Sequence, residues 1–235
     1  MKIAVIPARG GSKRILNKNI SQFLGKPLIA WSIEAAFKSE LFDKVIVSTD
    51  DKEIAEIAKK YGAEVPFVRP SELSDDFTAT FPVIKHSIKW LIEEEKCDIK
   101  FICCIYATAP LIQVEDIVLA HKMILNSQKS FVFPVTQFSY PIQRSIKLNS
   151  DSEVIPMWPE KMKNRSQDLE KTYHDAGQFY WGRLNAFLDD HELFSECSQV
   201  LILPSNRVCD IDEPSDLVRA EILFKALQKS DKSTK

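Results

Sequence analysis

Four basic side chains crowd a ten-residue stretch near the start of the chain that contains no acid: Arg9, Lys13, Arg14 and Lys18. Two adjacent glycines, Gly10 and Gly11, lie inside the stretch. Glycines in this arrangement let the backbone bend tightly and turn its N–H groups toward an anion. The pattern predicts a loop that holds the phosphates of a small ligand. The alternative is a solvated basic loop whose glycines serve only for turning.

The spacing in this loop differs from two common nucleotide-binding motifs. Neither G-x-x-x-x-G-K-[ST] nor G-x-G-x-x-G is present, so the sequence indicates neither a P-loop NTPase nor a Rossmann dinucleotide site. An apolar run at residues 3–6 precedes the loop, and a helical pattern at residues 27–38 follows it. The loop is therefore expected at the carboxyl end of a first strand, where open α/β sheets bind ligands.

A pair of aspartates lies near the other end of the chain, in the segment 209–214. Alternate residues of an extended backbone face the same side, so Asp210 and Asp212 can offer oxygens to one Mg²⁺ while their neighbours point inward. For Asp212 alone, the alternative is the N-cap of a final helix. Together with the basic loop, the pair predicts a nucleotidyl-transfer site with Mg²⁺ as cofactor.

The loop cations and the twin aspartates must be positioned by strands and helices that alternate along the chain. Runs rich in β-branched residues predict strands at residues 2–6, 44–48, 64–68, 99–105 and 131–135. Apolar residues three and four apart predict helices at residues 27–38, 52–61, 80–95 and 115–126. The alternation is typical of an α/β fold with a mostly parallel sheet and helices on both faces. Cys103 and Cys104 are expected on opposite faces of one buried strand, and Asp50-Asp51 is expected to cap the following helix.

The alternation weakens beyond residue 136. Residues 137–171 are predicted to be an inserted arm, either a lid over the site or a dimer contact, with short strands at 142–148 and 153–157. Strands at 177–182 and 199–203, a helix at 213–228 and a frayed tail at 229–235 are expected to follow. The whole of residues 1–235 is interpreted as one domain.

Composition limits the function classes. The chain has 235 residues, of which 45% are hydrophobic, and a formal net charge of -2. A balanced charge argues against bulk binding to nucleic acid or to an anionic membrane surface. No apolar segment approaches the roughly twenty residues of a membrane span, and the N-terminus begins with a core strand. We therefore expect a cytoplasmic protein that acts on a small substrate.

Several segments carry a resemblance to a known family. Ile6-Pro7-Ala8-Arg9-Gly10-Gly11-Ser12-Lys13-Arg14, then Lys18-Asn19-Ile20, and finally Asp210-Ile211-Asp212 resemble the cytidylyltransferases that activate nonulosonic acids, relatives of CMP-sialic acid synthetases. Four further segments are most similar to the bacterial pseudaminic acid branch: residues 74–78, 104–110, 165–168 and 173–181. The similarity covers nearly the whole chain.

The resemblance implies a Rossmann-like nucleotidyltransferase fold, a homodimer built through the inserted arm, and a role in flagellin glycosylation. It implies that Arg9 and Lys18 hold the triphosphate and stabilise the departing pyrophosphate. The CTP-binding residues that it implies are Ala8, Arg9, Gly10, Gly11, Ser12, Asn19, Arg69, Thr78 and Thr80. Asp210 and Asp212 would hold Mg²⁺.

The sugar acid needs binding groups other than those that hold CTP. An α-keto acid sugar brings a carboxylate that a guanidinium binds in a bidentate manner, and Arg144 or Arg165 could supply it. For each, a surface salt bridge is the alternative, and Arg165 has Asp168 close by. Other candidate sugar-binding residues are Tyr106, His174, Gln178 and Tyr180, although a histidine such as His174 is more often structural than a catalytic base. Tyr106 stands where the sialate pattern has glutamine, and Ala176 where asparagine is usual, which favours the pseudaminate branch.

These inferences predict one reaction. The anomeric hydroxyl of a nonulosonic acid attacks the α-phosphate of CTP, pyrophosphate leaves, and a CMP-sugar forms, with Asp212 as the acid nearest the attacking hydroxyl. The alternatives are a cytidylyltransferase for sialate, legionaminate or 3-deoxy-octulosonate, a sugar-phosphate nucleotidyltransferase that uses UTP or GTP, and a CTP-binding protein without catalysis.

Overall fold

The computed structural model describes residues 1–233, with side chains described as far as residue 229. The strands are β1 Lys2–Pro7, β2 Gln22–Phe23, β3 Lys26–Pro27, β4 Lys44–Ser48, β5 Phe101–Ile105, β6 Phe131–Gln137, β7 Ile146–Leu148, β8 Val154–Pro156, β9 Tyr173–Asp175, β10 Phe179–Arg183 and β11 Ser198–Leu203. The α-helices are α1 Leu28–Lys38, α2 Lys52–Lys60, α3 Thr80–Glu93, α4 Val114–Leu125, α5 Leu184–Leu188 and α6 Pro214–Ser233.

The main sheet has the strand order β11-β6-β10-β5-β1-β4, and β9 pairs with β6. Strand β1 is parallel to both β4 and β5, and β11 is parallel to β6. Strand β10 runs antiparallel between β5 and β6, and β9 is also antiparallel to β6. The prediction of a mostly parallel α/β sheet is therefore confirmed, and β10 and β9 are the strands that run against it.

Helices cover both faces of this sheet. Ala4 and Ile6 of β1 pack in one cluster with residues of α1, α2 and α4. Ile3 and Val5 pack in a second cluster with residues of α3 and α5. A strand buried on both faces reads as a continuous apolar run, because every position meets a helix. Cys103 belongs to the first cluster and Cys104 to the second, which confirms that they face opposite sides.

Some sequence predictions of local structure were wrong. Residues 64–68 do not form a strand, because only Glu64 bridges to Ile46 before the chain turns away from the sheet edge. Residues 142–144 form a short 3-10 turn, and β7 begins only at Ile146. The last helix continues to Ser233, past the predicted frayed start at residue 229, and residues 234–235 lie outside the described part. Strand β9 and helix α5 were missed, since both are too short for a periodic pattern.

The predicted arm leaves and rejoins the sheet at one point. Gln137 of β6 and Tyr173 of β9 are register partners, so the segment between them departs from the sheet edge and returns to it. Within the segment, β7 and β8 pair in a two-stranded sheet of their own. Exposed apolar side chains lie on it, among them Ile146, Leu148 and Val154. The role of the arm and the single-domain organisation of residues 1–235 stay predictions.

Within residues 1–233, no helix combines the length and the apolar character that crossing a bilayer requires.

Candidate active site

Three loops meet where the strands of the sheet end. The basic loop follows β1, and its first residue is tied to β4 by a 2.9 Å hydrogen bond from Ala8 N–H to the Ser48 carbonyl. Tyr106 follows β5, and its N–H donates to the Gln178 carbonyl at 2.9 Å, just before β10 begins. Because β10 is antiparallel, its start lies at the same edge as the carboxyl ends of β1, β4 and β5. Residues distant in sequence are thereby brought together.

A cleft of about 210 Å³ opens at this edge. It is lined by Pro7, Arg9, Ser12, Lys18, Asn19, Arg69, Leu73, Asp75, Thr78, Thr80, Val83, Tyr106, Ala107 and Thr108. Six of the predicted CTP-binding residues are in this lining: Arg9, Ser12, Asn19, Arg69, Thr78 and Thr80. Lys18 and Tyr106 lie there too. The structure thus collects side chains from the basic loop, the segment 69–80 and the end of β5 around one space.

The other three predicted CTP-binding residues, Ala8, Gly10 and Gly11, are not among the residues that line the cleft. Ala8 is buried, and the Gly10 N–H donates to Oδ1 of Asp50 at 3.0 Å. A Cβ atom on Gly10 would lie 2.8 Å from Oδ2 of Asp51, whereas one on Gly11 would meet nothing closer than 3.9 Å. Gly10 is therefore needed for close approach to α2, whose N-cap is Asp51 as predicted. In this structure the Gly10 N–H points to a carboxylate of the protein, not into the cleft.

Acidic side chains from two other segments neutralise the basic loop. Asp76 pairs with Arg9 at 2.5 Å and also with Lys13. Asp212 pairs with Arg14 at 2.9 Å and with Lys18 at 3.2 Å. Hydrogen bonds from Lys13 and Arg9 hold the pKa of Asp76 below its usual range. All four cations of the loop thus have a carboxylate partner.

Lys18 joins the early loop to the late aspartates. Asn17 adopts a left-handed conformation, with φ of 52°, and starts a 3-10 turn at Lys18–Ile20. Within that turn, the Asn19 amide donates to the Arg9 carbonyl at 2.8 Å. The Lys18 ammonium donates to the Ile211 carbonyl at 2.6 Å as well as to Asp212. The predicted convergence of the cationic loop with the twin aspartates is present in the structure.

The start of α6 explains why Asp212 is available to these cations. Asp216 accepts hydrogen bonds from the backbone N–H groups of Asp212 at 3.0 Å and Glu213 at 2.8 Å. Asp216 therefore satisfies the two N–H donors that immediately precede α6, which lowers the pKa of its carboxyl. The N-cap alternative for Asp212 is wrong on this evidence, since its carboxylate faces Lys18 and Arg14. Ile211 between the two aspartates is fully buried, as the extended spacing predicts.

Asp210 lies in a negative environment. Burial raises its pKa, as do the nearby charges of Asp212, Asp175 and Asp216, and Lys18 opposes them only in part. A carboxylate among like charges favours a bound cation. The pair Asp210 and Asp212 fits Mg²⁺, which is usually held by one or two protein carboxylates together with the phosphates of a substrate.

Arg69 forms the buried side wall of the cleft. Its Nε donates to the Ser48 hydroxyl at 3.1 Å, and its Nη2 donates to the Ser48 carbonyl. Burial and the charge of Arg9 lower its pKa to about 10, against the opposing charge of Asp50. The guanidinium is therefore still charged at neutral pH, and it is held rigidly where a polar ligand edge would meet it.

The predicted sugar-binding residues divide into two groups. Arg144 and His174 line a separate hollow at the arm. Arg165 pairs with Asp168 at 2.9 Å, which is the salt bridge that was the alternative to sugar binding for this residue. Gln178 is buried, and its amide donates to the Arg207 carbonyl at 2.7 Å, which supports the segment before the twin aspartates. Among the six candidates, Tyr106 lines the cleft, and Tyr180 packs edge to face against it.

Sequence reasoning missed three acids at this site. Asp76 pairs with the basic loop, Asp50 accepts from Gly10, and Asp175 accepts a hydrogen bond from the Tyr180 hydroxyl. Asp76 and Asp175 lie in segments that carry the family resemblance, so that signal was present. The residues joined by these three hydrogen bonds are 67, 40 and 5 positions apart in the sequence, and no local sequence pattern predicts the first two bonds.

Comparison with known proteins shows which family this chain resembles. The family model described as cytidylyltransferase matches residues 3–230. The chain is 46% identical to a pseudaminic acid cytidylyltransferase of Campylobacter jejuni, covering 97% of this chain and 98% of the relative. It is 34% identical to a CMP-N,N'-diacetyllegionaminic acid synthase of Legionella pneumophila, covering 97% and 98%.

Among solved structures, the chain resembles CMP:2-keto-3-deoxy-manno-octonic acid synthetase complexed with CTP. The TM-score is 0.68 at 16% identity, covering 96% of this chain and 98% of that chain, so the likeness supports the fold. The family model and the first relative extend over both the basic loop and the twin aspartates. The chain therefore belongs to the cytidylyltransferase family.

Proposed function

We propose that this protein transfers CMP from CTP to the anomeric hydroxyl of a nonulosonic acid, with pseudaminic acid as the acid. One observation carries the proposal: Lys18 of the basic loop donates to Asp212 at 3.2 Å, at the mouth of a cleft that also holds Arg9 and Arg69. A nucleotidyl transfer needs cations for a triphosphate and carboxylates for a metal in one place.

In this proposal the basic loop binds the triphosphate. Arg9 and Lys18 neutralise its charge and then that of the departing pyrophosphate, with Ser12 and Asn19 as polar contacts. Arg69, Thr78 and Thr80 line the part of the cleft that receives the nucleoside. Phosphate oxygens compete with Asp76 and Asp212 for the cations, because the triphosphate brings more negative charge to the loop than either carboxylate.

Asp210 and Asp212 are the residues that would hold Mg²⁺. When bound, the ion supplies further neutralisation of charge on the phosphates. Asp212, released from Lys18 and Arg14, is the acid nearest the sugar hydroxyl that attacks the α-phosphate, and it acts there either through the ion it would hold or as the acceptor of the hydroxyl proton. The bond from the α-phosphate to the bridging oxygen breaks, pyrophosphate leaves with the electron pair, and a CMP-sugar remains.

Pseudaminic acid is favoured over other acids by the 46% identity to an enzyme named for it, against 34% to one named for a legionaminic acid. Tyr106, which departs from the sialate pattern, lines the cleft, in keeping with a different sugar, and Ala176, which also departs from it, is buried. We further propose that the enzyme is a cytoplasmic homodimer. Its dimer contact would be the arm, with exposed apolar residues such as Ile146 and Leu148. Its product would serve flagellin glycosylation, and one relative is named a post-translational flagellin modification protein.

Turnover of the purified protein with a panel of acids tests this proposal. CTP, MgCl2 and pseudaminic, sialic, legionaminic or 3-deoxy-octulosonic acid are incubated separately, and any CMP conjugate is identified by mass spectrometry. Pseudaminic acid should give the highest kcat/KM, and EDTA should abolish pyrophosphate release. Replacement of CTP by UTP or GTP tests the sugar-phosphate alternative. Absence of metal-dependent pyrophosphate release with every acid would leave only a nucleotide-binding role.

A further inference from the structure

The peptide unit between Ile211 and Asp212 is held at both of its polar groups. Its carbonyl, that of Ile211, accepts a hydrogen bond from the Lys18 ammonium at 2.6 Å. Its N–H, that of Asp212, donates to Oδ2 of Asp216 at 3.0 Å. We call these two contacts the peptide clamp. Because a peptide unit is planar, holding it at both groups fixes the direction in which the chain continues into Asp212.

The segment around this peptide has no regular secondary structure of its own. Residues 208–212 lie between a 3-10 turn at Ser205–Arg207 and α6, and none of them belongs to a strand or a helix. No ladder of backbone hydrogen bonds orients these residues, so side chains must supply the partners. The buried side chain of Ile211 anchors the segment in a cluster with Phe23, Leu28 and Ala220. The peptide clamp then sets the rotation of the backbone beside that anchor.

Asp216 reaches back beyond its own helix to make this contact. It is the third residue of α6, which begins at Pro214, and its Oδ2 also accepts the Glu213 N–H at 2.8 Å. The contact with Glu213 is usual for an acid at the third helical position, because it satisfies the N–H group just before the helix. The contact with Asp212 lies one residue further back. It holds the backbone of the acid that the proposed reaction uses.

Lys18 can keep its backbone contact while it binds a ligand. An ammonium group has three N–H donors. In the described contacts, one donor goes to the Ile211 carbonyl and one to the Asp212 carboxylate. The contact with Asp212 is the one for which a phosphate oxygen competes in the proposed reaction. After that exchange the peptide clamp is unchanged, and the released carboxylate turns only about its own side-chain bonds.

We propose that Asp216 is a positioning residue for the transfer of CMP: it fixes the backbone of Asp212, so that the carboxylate stays beside the cleft after a phosphate oxygen takes its place on Lys18. Packing alone would not keep the carboxylate there, because the Asp212 side chain is 40% exposed. This inference rests on the proposed function. It assigns to Asp216 an effect on the reaction rate, whereas a capping role alone would affect only the free energy of unfolding.

Two variants of Asp216 separate its hydrogen-bond acceptor from its charge. Asp216→Ala removes the oxygen to which both N–H groups donate. Asp216→Asn loses the charge but keeps a side-chain oxygen that can accept. The matched control is Asp43→Ala, because Asp43 also accepts a backbone N–H, that of Lys2 at 2.6 Å. Lys2 is the first residue of β1, at the end of that strand away from the cleft.

Steady-state kinetics at saturating MgCl2 and sugar acid should show an effect on kcat alone. Asp216→Ala should lower kcat about tenfold, since misplacing a reacting group by less than about 1 Å slows a reaction by about this factor, while KM for CTP stays within about twofold. Asp216→Asn and Asp43→Ala should keep kcat within about twofold of wild type. Calorimetric titration with CTP in EDTA should give Asp216→Ala the wild-type Kd within about twofold, because the loop cations are unchanged.

A double variant tests whether Asp216 acts through Asp212. In the Asp212→Asn background, the further change Asp216→Ala should lower kcat by less than about twofold, because the group that Asp216 positions is already disabled. Independent roles of the two acids would instead multiply the two losses.

The outcomes separate this inference from the proposed function. If wild type turns over no sugar acid, the proposed function fails and the inference fails with it. If wild type is active, the inference alone is overturned by a wild-type kcat in Asp216→Ala, by a rise in its Kd for CTP as large as its loss in kcat, or by multiplied losses in the double variant. Circular dichroism melting checks that each variant is folded. If Asp216→Ala does not fold, Asp216→Ser takes its place, because the serine hydroxyl is one bond too short to reach both N–H groups.

Discussion

The two walls of the cleft are built in different ways. On one wall, four cations from a single loop pair with acids, and Lys13 and Arg14 have side chains that are 79% and 64% exposed. On the other wall, the Tyr106 hydroxyl lies 3.3 Å from Oγ1 of Thr80, and its ring packs edge to face against buried Tyr180, whose hydroxyl donates to Asp175. The first wall relies on charge and the second on directed hydrogen bonds.

The difference suits two kinds of ligand group. Exposed ion pairs contribute about 0–1 kcal/mol each, so phosphate oxygens can replace Asp76 and Asp212 at small cost. Buried hydroxyl groups such as that of Tyr180 cannot exchange partners so freely, because an unsatisfied donor or acceptor there costs about 1–3 kcal/mol. The cationic wall is therefore suited to a ligand that enters and leaves as an anion, and the tyrosine wall to selecting among similar sugars.

The strongest test of the cationic wall is Asp212→Asn. Loss of a proton acceptor and metal ligand should lower kcat by about 10²–10⁴-fold, while KM for CTP changes only a few-fold. Pyrophosphate release under saturating CTP measures the effect. Glu213→Gln, at the exposed neighbouring position, should keep the wild-type rate. An unchanged rate in Asp212→Asn would remove this residue from the mechanism.

Lys18→Met tests whether the link between the two ends of the chain matters for chemistry. The change removes the ammonium that binds both the Ile211 carbonyl and Asp212. We expect kcat/KM for CTP to fall by about 10²-fold, since a charge aimed at the phosphates is lost. Lys13→Met, at an exposed position that binds only Asp76 in the described contacts, should lower it much less. Equal losses in the two variants would show that only the net charge of the loop matters.

The two glycines of the basic loop should behave differently toward alanine. In Gly10→Ala the new Cβ would lie 2.8 Å from Asp51 Oδ2, so the loop must shift, and the free energy of unfolding should fall by about 1–3 kcal/mol. In Gly11→Ala the nearest atom is 3.9 Å away, and the change should be within about 0.5 kcal/mol. Urea titration compares them. Equal destabilisation would contradict the close approach of Gly10 to α2.

The smallest effect is expected from Asp76→Asn. This variant releases Arg9 and Lys13 from their carboxylate partner, so KM for CTP should fall by about two- to fivefold, with kcat little changed. The gain should shrink at high ionic strength, because added salt screens the same ion pair in wild type. A KM that rises instead would mean that Asp76 contacts the nucleotide directly.

Local sequence patterns were enough to predict much of the fold and half of the candidate site. The strand at Lys44–Ser48 was predicted with its observed bounds, because a β-branched run buried on both faces leaves a continuous apolar signature. The loop cations and twin aspartates were found because their chemistry is dense over a few residues. Asp51 as a helix N-cap follows from the same local logic.

The rest depended on contacts across the chain. Nothing near residue 76 indicates a partner at Arg9, and the spacing 209–214 alone allowed Asp212 to be either a helix cap or a metal ligand, without indicating its contact with Lys18. The sequence by itself determined which side chains carry charge and which strands are buried, since both are properties of residue type and short-range periodicity. Only the tertiary structure decided which acid faces which cation, that Gly10 turns its N–H toward Asp50, and that Tyr106 packs against Tyr180, because each pairing depends on the sheet order that places distant loops at one edge.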